Sequence, residues 1–102
     1  MMEIAEVAKY IRKELKAAEQ YAYEACKHKE QYPELAQKYY RAAQEHLALA
    51  EDLHSGAARL IDDAKRTGHD ANDTMRAVWT YEHDMMIEDK DCILRKLEMY
   101  KA

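Results

Sequence analysis

The chain reads as all-α: an antiparallel three-helix bundle of long helices. Three observations lead there. Only 2 Gly and 1 Pro occur in 102 residues, too few turn formers for a sheet protein, which must reverse direction every dozen residues or so. The composition favours Ala, Glu, Lys, Gln and Leu, the strong helix formers, whereas Val is sparse and Phe is absent. Apolar residues also recur in steps of three and four over long stretches, which marks one face of a helix.

The first helix is expected over about residues 3–30. Ile4, Val7, Ala8, Ile11, Leu15, Ala18, Tyr21, Ala22, Ala25 and Cys26 form its apolar face. It should stop at Gln31-Tyr32, because Pro33 fits the first position of a new helix, where its missing N–H costs nothing. Glu34 then favours the positive end of that helix's dipole.

The second helix is expected over 33–66. Its inward face reads Leu35, Tyr39, Ala42, Ala43, Leu49, Ala50, Leu53, Ala57, Leu60, Ile61 and Ala64, with Ser55-Gly56 as a point of bending or close helix contact. Gly68 suits a left-handed cap at its end. The third helix, about 71–101, has Asn72 or Asp73 as its expected cap and Met75, Val78, Trp79, Met86, Ile93, Leu97 and Tyr100 on its apolar face. The connections are short, so neighbouring helices run antiparallel. Nothing in the chain looks like a linker or a repeat, and one domain over 1–102 accounts for it.

Charge narrows the function. Charged residues make up 35% of the chain with the signs mixed, and the net charge is −4. That lacks the basic stripe of a nucleic-acid binder. No apolar run approaches the ~20 residues that span a bilayer, and residues 1–18 lack a signal peptide's continuous apolar segment. No membrane role and a cytoplasmic location are therefore expected. Cys26 and Cys92 are too few and too distant for a zinc motif, and their expected heights in the bundle differ, so both should be free thiols. The core is lean, with many alanines and few large aliphatics. A lone three-helix monomer would be marginal at ~25 cal/mol per Å² of buried apolar surface, which predicts a homodimer or larger homo-oligomer.

Several polar residues fall where apolar ones belong. His46 lies near the centre of the apolar arc of the second helix and His54 at its edge; Glu82 and Asp89 fall inside the Met75–Met86–Ile93 stripe; Glu14 flanks the Ile11–Ala18 seam. Folding the helices back at the two turns puts Glu14, His46 and Asp89 in one layer, and Glu82 level with His54 or Ser55. Buried charges are costly unless paired or bound to a metal. Carboxylates with imidazoles suit divalent first-row metals such as iron, manganese or zinc. Glu51 to His54 also forms a Glu-x-x-His tetrad, although Glu51 points off the apolar arc. The plainer readings are a hydrogen-bonded core histidine at 46, carboxylates at 82 and 89 paired with Lys90, Arg41 or Arg59 or facing a partner subunit, and a solvated Glu51–His54 pair.

The stretch Glu14 to His54 resembles the first helical hairpin of the rubrerythrin branch of the ferritin-like superfamily. The likeness rests on Glu14 two turns before Tyr21, on Tyr32-Pro33-Glu34-Leu35-Ala36 at the turn, on Tyr40-Arg41-Ala42-Ala43, and on the Glu and His that follow. Tyr81-Glu82-His83 is loosely similar to the family's third helix. The resemblance implies a non-haem di-metal carboxylate site supporting iron oxidation or peroxide reduction, with Glu14 and Glu82 as the first- and third-helix ligands. At the family's Glu-x-x-His position this chain has His46-x-x-Leu49, and it offers three helices where the family has four. The ligand set is therefore rearranged, completed by a second subunit, or lost.

Two functional readings result. One is a ferritin-like metal-binding bundle that holds iron or manganese, no organic cofactor, and draws its ligands from Glu14, His46, Glu51, His54, Glu82 and Asp89. Any enzymatic activity would then be iron–oxygen or peroxide chemistry. The other is a metal-free structural or protein-interaction module on the same scaffold.

Overall fold

The computed structural model describes residues 2–68 and 73–102, which form three helices: α1 (Met2–His28), α2 (Pro33–Arg66) and α3 (Asp73–Lys101). Among the described residues there are no strands. The second helix starts on Pro33 as expected, and Gly68 has a φ of 75°, the left-handed conformation that ends a helix. The Thr67 hydroxyl donates to the Asp63 and Ala64 carbonyls in the last turn of α2. The cap proposed at Asn72 lies outside the described residues, as do the side chains of Asp73, Met75 and Val78.

The helix α1 is the central element. Both α2 and α3 pack along it and hardly touch each other, which gives a rod of 56 × 18 × 17 Å. The reason is in the spacing of the buried residues. On α1 they are Ile4, Ala8, Ile11, Leu15, Ala18, Ala22 and Ala25; on α2 they are Ala36, Ala43, Leu47, Ala50 and Ala57. Each set repeats every seven residues, which keeps one seam facing its partner along the whole length of an antiparallel pair. Alanine at most of these positions lets the two backbones approach closely. Ile93 and Leu97 anchor α3 on the same core.

The second helix is rotated from its expected facing. Leu35, Leu49 and Leu60, assigned inward from the sequence, are 42%, 45% and 40% exposed, while Ala36 and Leu47 are buried instead. The alanine stripe, not the leucine stripe, meets α1. Leu35, Ala42, Leu49 and Gly56 then form a second heptad line on the flank of α2 that faces away from α3. The helix runs through Gly56 without interruption, and a Cβ built there meets nothing within 4 Å.

Candidate functional site

The polar residues singled out from the sequence occupy three separate seams. No polar or charged side chain among the described residues is fully buried, so all of them sit at the edges of the core rather than within it.

The outer α1–α2 seam, on the side away from α3, holds Glu14 and His46. The Glu14 carboxylate meets Nδ1 of His46, with both side chains half-buried. The imidazole stacks on Tyr21, its ring centre 5.2 Å away and the planes 22° apart. The stack continues through Tyr39 at 6.0 Å to His28, which is paired with Glu24 at 3.0 Å. Spacing explains the ladder: Glu14, Tyr21 and His28 are seven apart on α1, as are Tyr39 and His46 on α2. Both rows stand on the rim of the alanine seam. The convergence of Glu14 with His46 matches the height count from the sequence, although His46 lies at the rim of the apolar face rather than near its centre.

The α1–α3 seam lies on the opposite flank of α1. Here Arg12 Nε pairs with Glu82 at 3.1 Å, and Lys96 Nζ pairs with Glu19 at 3.0 Å while also lying 3.3 Å from Cys92 Sγ. The Cys26 thiol donates to the Lys96 carbonyl; both cysteines are free. Burial alone would lower the Lys96 pKa, but hydrogen bonds to Glu19 and Cys92, and their charges, outweigh it and raise it. Asp89 is pushed up, first by partial burial and then by the neighbouring Glu19 and Glu88 carboxylates. Asp89 and Glu82 therefore do not join Glu14 and His46: α1 stands between the two seams. Height along the rod does not distinguish one flank of α1 from the other.

The third location is the groove between α2 and α3. Leu15, Leu47, Ala50, Met86 and Ile87 line it together with Glu51, His54, His83 and Lys90. The rings of His54 and His83 are 5.2 Å apart, and Trp79 stacks on His54 at 6.0 Å with planes only 8° apart. Glu51 is held by Lys90 at 2.8 Å. The His54 pKa is lowered by partial burial, then by His83 and Lys90. The sequence count put residue 82 level with His54. The residue that meets His54 is its neighbour His83, which projects about 100° further round α3 and was not among the candidate ligands.

The ligand set expected from the sequence is thus divided: Glu14 with His46, Glu82 and Asp89 across α1, and Glu51 and His54 in the groove. Among the described residues no three side chains of ligand type converge on one point within a single chain. Comparison with protein-family models, with curated proteins and with solved structures finds no match for the chain.

Proposed function

We propose that the chain is a divalent-metal-binding helical bundle completed by a second copy of itself, with Glu14 and His46 as each chain's contribution to the site. The observation that carries this reading is the Glu14–His46 pair on the flank of the α1–α2 hairpin that α3 leaves open. A carboxylate and an imidazole are the right donor types for iron or manganese, but one chain brings two donors where a first-row ion takes four to six. A second copy laid on the same flank about a two-fold axis brings the same pair again, because an isologous contact repeats every residue.

The apolar surface supports the same geometry. Leu35, Leu49 and Leu60 are exposed along this flank, and Ala42 and Gly56 leave room between them for a close helix. Tyr10 of α1 is also exposed on this side. In such a site Tyr21 would hold the His46 ring in place by stacking, and the closed seam would exclude water. Bound iron would supply redox chemistry toward oxygen or peroxide, in keeping with the ferritin-like resemblance.

The test is metal content. Protein purified from cells grown with iron and manganese should carry close to stoichiometric metal per dimer, and Glu14→Gln and His46→Ala should each abolish it. Iron or manganese retained in both variants would remove the assignment. A second reading rests on the heptad line itself: Leu35, Ala42, Leu49 and Gly56 suit a metal-free interaction module. It predicts association of the two variants as strong as that of the wild type, with no metal in any of them.

A further inference from the structure

We propose a second, independent metal site in the groove between α2 and α3, where His54 and His83 chelate one late first-row divalent ion of the zinc or nickel class. The spacing of the two rings is compatible with such an ion. With N–metal bonds of ~2.1 Å the two ring centres lie ~3.2 Å from the ion, and a tetrahedral angle then separates them by ~5.2 Å. The observed separation of the His54 and His83 ring centres is 5.2 Å.

The groove supplies the remaining parts. Glu51 lies one turn before His54 on the same side of α2 and lines the same groove. Its carboxylate is held by Lys90 at 2.8 Å across a half-exposed pair, an ion pair weak enough to exchange for a metal bond. The groove has a volume of about 130 Å³, room for an ion and its water ligands. Its floor of Leu15, Leu47, Ala50 and Met86 is apolar.

The donor set separates this site from the one on the hairpin flank. Two imidazoles with at most one carboxylate favour zinc, nickel or copper, whereas the carboxylate-richer pairing of two Glu14–His46 units suits iron or manganese. The groove site needs no second copy and does not depend on the reading given above. It is also built with its own reporter, because Trp79 is the single tryptophan of the chain and stacks on His54.

Titration of the full chain with Ni²⁺, followed by Trp79 fluorescence and by calorimetry, tests the site; nickel avoids the reaction of copper with the two thiols. A saturable loss of emission is expected, with one ion per chain, displacement by Zn²⁺ and reversal by a chelator. His54→Gln and His83→Gln should each weaken binding at least tenfold, and Glu51→Gln several-fold. Glu51 is exposed, so this variant keeps the test valid should either histidine variant lose helicity by circular dichroism. The emission of Trp79, which stacks on His54, reports the groove alone, so failure here and failure of the Glu14–His46 site are told apart. Absence of a saturable response in the wild type would overturn the proposal, as would equal nickel affinity in the wild type and both groove histidine variants.

Discussion

Replacing Gly56 with alanine probes the open flank of α2 from both sides. Gly56 sits in the interior of a 34-residue helix, is exposed, and has open space where a Cβ would go. In an isolated chain the substitution relieves the backbone-entropy cost of glycine without meeting anything. The expected gain is about 0.5–1 kcal/mol, which for a domain of this size raises Tm by roughly 2–8 °C. A second copy changes the sign. Gly56 is in line with Leu35, Ala42 and Leu49, so a helix packed over that line would come closest at the glycine, and an added methyl group would hold it off. Overpacking a close contact costs about 1–3 kcal/mol, and each chain of a two-fold dimer would carry the added methyl. Thermal melts over a hundredfold range of protein concentration separate the effects. The variant should be more stable than wild type when dilute and lose that advantage when concentrated. A gain of the same size at every concentration would refute close helix packing over Gly56. A loss at the lowest concentration would refute the openness of the flank itself.

Other perturbations test the packing and the electrostatics. Ile93 is fully buried and is the main anchor of α3 on α1, so Ile93→Ala should cost about 3 kcal/mol. Ile87→Ala, at 50% exposed, should change the melt by less than about 0.5 kcal/mol. Asp89 has a raised pKa from burial and from Glu19 and Glu88, so its ionised form opposes folding and stability falls as pH rises through its folded-state value. Asp89→Asn should raise Tm at pH 7 by roughly 1–2 °C, on the order of 0.3 kcal/mol after solvent screening, and the gain should vanish near pH 3. An undiminished gain at pH 3 would assign it to something other than charge. For His54 the sign is the reverse. Its lowered folded-state pKa makes this residue's contribution grow as pH climbs toward its ordinary value of 6.5 and stay level above it. His54→Gln should flatten the part of the stability profile that lies just below pH 6.5.

The architecture was legible because it depends on periodicity, and the sites were half legible because they depend on rotation. Three- and four-residue steps, Pro33 and Gly68 located the helices and their ends to within a residue or two. The facing of α2 was less accessible, since two heptad lines run side by side: Ala36, Ala43, Ala50 and Ala57 on one, Leu35, Ala42, Leu49 and Gly56 on the other. Hydrophobicity alone ranks the leucines as core. Close backbone approach favours the alanines, and that preference shows only when α1, itself rich in alanine, is set against them. The same 100° per residue decides the polar groups. Height along the rod brought Glu14 to His46 correctly, and it brought α3 level with His54. It could not show that Glu82 turns to Arg12 while His83, one residue on, turns to His54. Rotational ambiguity was enough to divide the two expected ligand layers among three seams.

The central claim is that two Glu14–His46 pairs meet across a two-fold contact. Native mass spectrometry of the chain loaded anaerobically with Fe²⁺ or with Mn²⁺ reads both halves of that claim at once. Dimers that carry metal are expected, with His46→Ala yielding metal-free species and a larger fraction of monomer. Metal-free monomers at every concentration, or dimers whose metal is indifferent to both Glu14 and His46, would contradict it.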